Sequence, residues 1–337
     1  MTTLLPADIE SLVARALEKC GTSPINAAST AAALIAAETD GQLGHGLSRV
    51  PGYAAQVAAG KVAGHARPEA TRTRAAALRI DAKDGFAYPA LDLAIASLSQ
   101  AAPETGIAAA GIFRSHHIGQ AGRTVERLAD LGLVGLVMSN TPQAMALQGG
   151  KRPMLGTNPL AFAAPIRGRP ALVIDLSLSL VARSKIIAAE KAGREIPSDW
   201  ATDADGAPTS DPAAALRGAL LPAGGAKGAA LALMVEILCA ALVGGHYGWE
   251  ASSFLDDRGA PPGVGQLIIA LAPQAFSGEL YPTRMADLLS AVAAEKGVRL
   301  PGDRRLIARE AARTRGLAVA PELYAQIARL AEVGAGR

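Results

Sequence analysis

The order of helical and strand-like segments is the feature that most constrains the fold of this chain. Residues 1–60 have helical spacing, with apolar residues recurring every three or four positions. Short apolar runs then alternate with helical segments, and helical segments alone return after residue 282. This order predicts an α+β protein, with a sheet and its covering helices in an α+β domain over residues 66–281 and a helical domain built from residues 1–65 and 282–337.

Local signals set the expected elements. Ser23 followed by Pro24 predicts a helix start, because serine caps a helix and proline suits its first turn. Short apolar runs bounded by turn residues are typical of buried strands, which we expect at 75–80, 107–112, 133–138, 160–164, 172–174 and 267–271. Longer segments predict helices, at 90–102, 121–131, 227–243, 285–296, 303–314 and 321–333.

Composition excludes several classes of protein. The 337 residues are 50% hydrophobic and 19% charged, which is enough to bury a large core and argues against a disordered chain. The net charge is only +3, and no block of five or more basic residues occurs. Aromatic residues make up 4%, so stacking platforms for bases are scarce. These properties argue against a nucleic-acid partner.

The chain carries no sign of export or membrane insertion. Cys20 and Cys239 lie far apart in apolar surroundings, which favours buried thiols over a disulfide or a metal site. The first residues lack a basic region, and acidic residues precede any long apolar run. The apolar stretch 229–243 contains Glu236 and is too short to span a bilayer. We therefore expect a cytoplasmic protein with no membrane partner.

Two short segments, 44–49 and 114–119, carry three of the five histidines, each close to an arginine and to glycines. Histidine exchanges protons near neutral pH, and arginine can hold a carboxylate. The pattern indicates acid–base catalysis on a small acid. The same pattern is also compatible with a His45 that caps a turn and an Arg49 that is a surface charge. These residues alone therefore do not decide between a catalytic and a structural role. No spacing of histidine with cysteine or carboxylate predicts a metal.

A Rossmann dinucleotide site is absent from the sequence, since no G-x-G-x-x-G follows a strand and opens a helix. The stretch 222–228 places two glycines and Lys227 before a long apolar helix, and it lacks the Ser or Thr of a phosphate loop. Free N–H groups and a cation there suit an anion such as a cofactor phosphate. A plain helix start with a solvated lysine is about equally compatible.

Several blocks in order resemble the malate/L-lactate dehydrogenase family, which is unrelated to the Rossmann lactate dehydrogenases and includes sulfolactate dehydrogenases and Δ1-piperideine-2-carboxylate/Δ1-pyrroline-2-carboxylate reductases. The blocks are DGQLGHGLSRVPGY (40–53), RSHHIG (114–119), GTNPLAFAAP (156–165), DADGAPTSDP (203–212), LPAGGAKG (221–228) and PGD (301–303). The resemblance covers nearly the whole chain. It implies a large mixed, mainly antiparallel sheet that binds NAD(P) without a Rossmann fold, and a homodimer.

The resemblance also implies roles for individual residues. His117 would be the proton donor and acceptor, with His45 and Arg49 as further catalytic residues. The implied substrate-binding residues are His45, Arg49, Tyr53, Arg114 and His116. The implied cofactor-binding residues are Thr141, Asp175, Leu176, Ser177, Arg183, Lys227, Pro301, Gly302 and Asp303. Arg183 and Lys185 could pair with a 2′-phosphate, which favours NADP over NAD.

The implied activity is hydride transfer to or from C2 of a small 2-oxo or 2-hydroxy acid of the malate, lactate or 3-sulfolactate type. The alternative is reduction of a cyclic imine, Δ1-piperideine- or Δ1-pyrroline-2-carboxylate. A non-catalytic relative that binds a nucleotide is a third possibility, of another class. The chain departs from many relatives at Gly44, where serine is common, at Ser184, where glycine is common, and at Ala226, where an aromatic residue is common.

Overall fold

The fold is known from a computed structural model that describes residues 2–334. Its strands are β1 Thr2–Leu4, β2 Glu69–Arg74, β3 Ala77–Asp81, β4 Ile107–Ser115, β5 Val134–Ser139, β6 Leu160–Ile166, β7 Arg169–Leu176, β8 Ala201–Thr202, β9 Ala219–Leu220, β10 Val264–Leu271 and β11 Leu317–Val319. Its α-helices are α1 Pro6–Lys19, α2 Pro24–Thr39, α3 Val50–Ala58, α4 Ala87–Thr105, α5 Ala121–Asp130, α6 Arg183–Lys191, α7 Pro212–Arg217, α8 Ala226–Glu236, α9 Pro273–Ser277, α10 Leu280–Ala293, α11 Asp303–Arg315 and α12 Pro321–Val333.

Seven strands form the central sheet in the order β2-β3-β4-β10-β5-β6-β7. All neighbours are antiparallel except β3 and β4, which run parallel. Strand β10 comes late in the chain and enters between β4 and β5, with Ile268 opposite both Ala110 and Val137. The expected large mixed, mainly antiparallel sheet is confirmed. The six expected strands lie within or overlap β3, β4, β5, β6, β7 and β10.

The sheet is buried on both faces. Successive residues of β10 alternate between two hydrophobic clusters, with Ile268 and Ala270 in the first and Leu267 and Ile269 in or against the second. The first cluster joins the sheet to α1, α2, α4, α5 and α12, and the second packs it against residues of α6, α7 and α8. Helices thus cover each face, as the near-continuous apolar runs of the strands require.

The two ends of the chain meet. Strand β1 pairs with β11, and α1 packs against α12. The guanidinium group of Arg309 donates to Asp40 at the end of α2 and to Glu126 in α5, at 2.8–3.1 Å, and Arg305 lies within 3.6 Å of the same two carboxylates. Because both carboxylates are buried, this network fixes α11 against the body of the protein. The division into a helical and an α+β domain remains a prediction.

Two segments with helical spacing take a different form from a single α-helix. Within residues 1–60, Gly46 (φ −99°, ψ −136°) separates a 3-10 turn, Leu43–His45, from a second one, Leu47–Arg49, which α3 follows directly. The long helix expected at 227–243 is α8 followed by a π-helical turn, Ile237–Ala241. The start of α2 is as predicted, since Ser23 accepts from the amide of Asn26. Within residues 2–334 no helix has the length and apolar character needed to cross a membrane.

Candidate active site

A cavity of about 690 Å³ opens where the 3-10 turns, the ends of β4 and β5 and the loop after α8 meet. His45, Arg49 and His117 line it together. The structure therefore brings the three predicted catalytic residues to one place. Pockets of this size suit a small molecule together with a cofactor.

His117 lies between β4 and α5 and is 6% exposed. Its Nδ1 is 2.7 Å from the hydroxyl of Tyr53, which lies 3.2 Å from the hydroxyl of Tyr88. With Nδ1 engaged, Nε2 is the ring nitrogen available to a molecule in the cavity. Such a contact fixes the orientation of the ring, which a proton donor needs.

The histidines here are neutral near pH 7. Burial lowers the pKa of His117 well below its usual value, and repulsion from the charge of Arg49, and from His45 and His116 when they are protonated, adds to the effect. The ring of His45 stacks on His117 at 5.2 Å, and burial followed by the charge of Arg49 lowers the pKa of His45 to about 4. Arg49 is thus the cation beside a neutral histidine pair.

Arg49 is held by its own loop. Its Nε donates to the carbonyl of Gly44 at 2.7 Å. The amide of Leu47 donates to the carboxylate of Glu38 at 2.8 Å, and burial raises the pKa of that carboxyl. A Cβ at Gly46 would lie 2.1 Å from the same carboxylate, so the loop requires glycine there. Glu38 was not singled out from the sequence.

Two predicted substrate-binding residues lie behind the cavity wall. Tyr53 is 1% exposed and contacts His117 through its hydroxyl. His116 is 1% exposed and packs among the rings of Tyr53, Phe86 and Phe254 at 5.2–5.8 Å. Burial, followed by the charges of Lys61 and Arg49, lowers the pKa of His116 to about 3. Neither residue lines the cavity.

Arg114 does not line the cavity either. Its guanidinium group is half-exposed and makes two hydrogen bonds to Asp81, one of them from Nε at 2.9 Å. Its backbone has a φ of 49°, and its carbonyl accepts from the amide of Asp84. Arg114 therefore fixes the end of β4 to the turn after β3, immediately before the two histidines.

The predicted cofactor-binding residues lie in three places. Thr141, Asp175, Ser177 and Arg183 line the cavity, and the exposed Leu176 lies between two of them in the chain. Lys227 is exposed in the first turn of α8, outside the cavity lining. Pro301, Gly302 and Asp303 line a separate small cavity beside β7.

A buried carboxylate supports the loop that carries Thr141. Glu236 accepts from the side-chain amides of Asn140 and Asn158, at 3.1 and 2.9 Å, and from the amide of Gly248 at 2.7 Å. Asn158 in turn accepts from the amide of Thr141 at 3.3 Å. Glu236 thus fixes the loop that presents Thr141 to the cavity.

Sequence reasoning missed several lining residues, among them Arg217 at the end of α7 and Phe254 in the loop after α8. The ring of Phe254 lies 5.1 Å from that of His117. Arg217 lies beside Leu216, whose carbonyl accepts from Arg183 at 2.9 Å. No local pattern marks either residue. Among residues 2–334 no cluster of three or more potential metal ligands is found.

The mainly antiparallel order of the central sheet excludes a Rossmann fold. The profile of the malate/L-lactate dehydrogenase family matches residues 5–328. The chain belongs to that family, as its motifs predict.

Two curated relatives illustrate the range of the family. The chain is 50% identical over 298 residues to a (2R)-3-sulfolactate dehydrogenase (NADP(+)) from Chromohalobacter salexigens, covering 88% of this chain and 89% of the relative. It is 40% identical over 313 residues to a Δ1-pyrroline-2-carboxylate/Δ1-piperideine-2-carboxylate reductase from Pseudomonas putida, covering 93% and 92%.

Solved structures share the fold over nearly the whole chain. Δ1-piperideine-2-carboxylate reductase from Pseudomonas syringae pv. tomato has a TM-score of 0.93 and 37% identity, covering 98% of this chain and 100% of the other. Sulfolactate dehydrogenase from Methanocaldococcus jannaschii has a TM-score of 0.90 and 28% identity, covering 98% and 97%.

Proposed function

We propose that this protein is an NADP-dependent oxidoreductase that transfers a hydride to or from C2 of a small 2-oxo or 2-hydroxy acid. The observation that carries the proposal is the placement of Arg49, His45 and His117 in one cavity, with the ring of His117 oriented by the contact between its Nδ1 and the Tyr53 hydroxyl. The similarity to a 3-sulfolactate dehydrogenase supports a substrate of the 3-sulfolactate, malate or lactate type.

The remaining residues that line the cavity fit nicotinamide adenine dinucleotide phosphate (NADP). Thr141, Ser177 and Thr157 offer hydroxyls for ribose or phosphate, and Arg183 and Arg217 offer cations. Thr141, Asp175, Leu176, Ser177 and Arg183 would hold the cofactor, and we assign Lys227, Pro301, Gly302 and Asp303 to it through the family blocks. When bound in reduced form, it supplies the hydride.

Arg49 would hold the substrate carboxylate with its terminal nitrogens, since its Nε is engaged by Gly44. In the reducing direction Nε2 of His117 donates a proton to the C2 oxygen, and in the oxidising direction it accepts that proton. The charge of Arg49 is one cause of the low pKa of His117. A carboxylate at Arg49 offsets that charge, so substrate binding raises the pKa of His117 when a proton is needed.

A cyclic imine reductase is the second candidate. The similarity to pyrroline- and piperideine-2-carboxylate reductases favours it. These substrates also carry a carboxylate beside C2, so Arg49 and His117 would have the same roles toward a ring nitrogen. The two candidates differ in the group that is reduced, an oxo group or a ring imine. The cavity wall around His117 is compatible with both.

The test follows oxidation of NADPH and NADH with 3-sulfopyruvate, oxaloacetate, pyruvate and the two cyclic imines under identical conditions. Preference for an oxo acid supports a hydroxy-acid dehydrogenase, and preference for an imine supports the second candidate. The control is His117→Ala, which should bind NADPH but lose turnover. Binding of NADPH by the wild-type protein without turnover of any substrate supports the third possibility, a non-catalytic relative.

We further propose a cytoplasmic homodimer. Four apolar residues of α8 and the segment after it, Leu231, Met234, Ile237 and Leu242, are 40–67% exposed. Such a patch is typical of an interface. Cys20 and Cys239 are buried at separate places, as suits thiols in a reducing compartment. Light scattering of the wild type and of Ile237→Asp tests the dimer, because a charge in that patch should shift the mass to that of one chain.

A further inference from the structure

Two buried polar side chains from α3 and the residues after it hold the loop that carries Phe254. The ammonium group of Lys61 donates to the carbonyls of Ser253 and Asp256 at 2.6 and 2.9 Å, and it lies 3.4 Å from a carboxylate oxygen of Asp256. Its side chain is 0% exposed. A lysine is rarely so deeply buried, and it needs full hydrogen bonding when it is.

Gln56 makes a second set of contacts to the same loop. Its Nε2 donates to the carbonyl of Phe254 at 3.1 Å and to that of Asp256 at 2.9 Å, and the residue is 0% exposed. Lys61 and Gln56 thus donate four hydrogen bonds to three carbonyls of one short segment, those of Ser253, Phe254 and Asp256. The segment has no regular secondary structure to satisfy those carbonyls, so the two side chains replace it.

The held segment forms part of the active-site wall. Ser253, Phe254 and Leu255 line the cavity. The ring of Phe254 lies 5.1 Å from the ring of His117 and 5.2 Å from that of His116. An apolar ring at this distance removes water from the imidazole and strengthens the electrostatic effect of its neighbours.

We propose that Lys61 and Gln56 are positioning residues of the active site: by holding the segment from Ser253 to Asp256, they keep Phe254 against His117 and exclude water from the imidazole. This inference rests on the proposed function for its kinetic consequence. The effect of Lys61 and Gln56 on the surroundings of His117 does not depend on the proposed function.

A purely structural role is the competing explanation. Lys61→Met and Gln56→Leu both remove hydrogen bonds to the loop, but only Lys61→Met also removes a positive charge. Phe254→Ala removes the ring and leaves the carbonyls in place. Ser252→Ala is the matched control, because Ser252 donates to the carbonyl of Ala260 at 2.6 Å on the exposed side of the same loop.

The first readout is titration of the histidine ring signals by NMR, with the His117 signal assigned by its loss in His117→Ala. In Lys61→Met, Gln56→Leu and Phe254→Ala we expect His117 to titrate at a higher pH than in the wild type, because water reaches the ring. Ser252→Ala should titrate as the wild type does. This readout requires no substrate.

The second readout is kinetic. We expect kcat to fall about tenfold to a hundredfold in Lys61→Met and Gln56→Leu, with a smaller change in KM for the cofactor and a pH profile displaced in the direction of the NMR titration. Thermal unfolding of each variant shows whether it folds. If Lys61→Met or Gln56→Leu does not fold, Phe254→Ala is used in its place, because it keeps the hydrogen bonds of the buried lysine and glutamine.

An unchanged titration of His117 in Gln56→Leu and Phe254→Ala would overturn the proposal, even if Lys61→Met shifts it, because the effect would then come from charge alone. A shift in Gln56→Leu and Phe254→Ala supports the proposal whether or not a substrate is turned over. Absence of turnover in the wild type would instead contradict the proposed function and leave the NMR result to stand by itself.

Discussion

The hydroxyl of Tyr53 lies 2.7 Å from Nδ1 of His117 and 3.2 Å from the hydroxyl of Tyr88. These contacts join the wall of the cavity to the buried layer behind it. Tyr53 is in α3, which directly follows the turn that carries Arg49. The carboxylate-binding arginine and the orienting tyrosine of the proposed mechanism therefore come from one short segment of chain.

Removal of the Tyr53 hydroxyl should impair the reaction more than the fold. In Tyr53→Phe the ring of His117 keeps its packing but loses the partner of Nδ1, so we expect kcat/KM to fall about tenfold, which corresponds to one hydrogen bond of about 1.4 kcal/mol. Steady-state kinetics measures this. Tyr324→Phe, in α12 and outside the cavity lining, is the control, and an equal loss of kcat/KM there would contradict a special role of the Tyr53 hydroxyl.

The buried histidines should make the protein sensitive to acid. The pKa of His116 is lowered to about 3 by burial and by the charges of Lys61 and Arg49, whereas an unfolded histidine titrates at about 6.5. Between these values the unfolded chain binds more protons than the folded one. The free energy of unfolding therefore falls as pH decreases from about 6.5 toward 3, by up to about 1.4 kcal/mol per pH unit for each such histidine.

Urea unfolding at pH 7 and pH 5 measures this effect. In His116→Phe, which suits the aromatic surroundings of the site, we expect a smaller loss of stability between the two pH values than in the wild type. His65→Gln is the control, since His65 is exposed in a loop. An equal loss of stability in His116→Phe and the wild type would show that other groups cause the acid sensitivity.

Two of the three arginines that line the cavity should determine the preference for NADPH, the third being Arg49. Arg183 and Arg217 line the cavity, whereas Lys185, the other cation considered from the sequence, does not. We expect Arg217→Met and Arg183→Met to raise the Kd of NADPH about tenfold or more while changing that of NADH little, because only NADPH carries the extra phosphate. Quenching of protein fluorescence measures both. A similar loss in Lys185→Met would show that Lys185, outside the cavity lining, also contacts the phosphate.

Motifs and periodicity predicted much of this architecture. The helix start at Ser23 and Pro24 and the apolar strand runs depend on neighbours in sequence, so a single chain shows them. The sheet order does not, because β10 pairs with strands more than a hundred residues earlier. Only the family resemblance predicted that the sheet is mainly antiparallel.

The site shows the same division. His45, Arg49 and His117 were found because their motifs are local, and the structure brings them to one cavity. No local pattern marks Glu38, Lys61, Gln56 or Phe254. Lys61, Gln56 and Phe254 make their contacts with residues far away in the chain, and Glu38 contacts the turn at Leu47. Arg114 sits in a motif but forms its ion pair with Asp81, a partner that its motif does not contain.

Two neighbouring glycines should respond in opposite ways to the same substitution. A Cβ at Gly44 meets no atom within 4 Å, whereas a Cβ at Gly46 would lie 2.1 Å from the carboxylate of Glu38 and 3.1 Å from its backbone. We therefore expect Gly44→Ser to fold with a melting temperature close to that of the wild type. In Gly46→Ser the turn must move, and since it carries Arg49, both stability and substrate binding should suffer.

Gly44→Ser also tests substrate preference, because Gly44 lines the cavity beside His45 and Arg49. The added hydroxyl fills open space next to the carboxylate-binding group, which should raise KM for a substrate with a bulky second acidic group more than for a compact one. The ratio of kcat/KM for 3-sulfopyruvate to that for pyruvate measures this. A ratio unchanged from the wild type would mean that the second acidic group lies away from Gly44, on the side of the cavity where Phe254 and Leu255 form the wall.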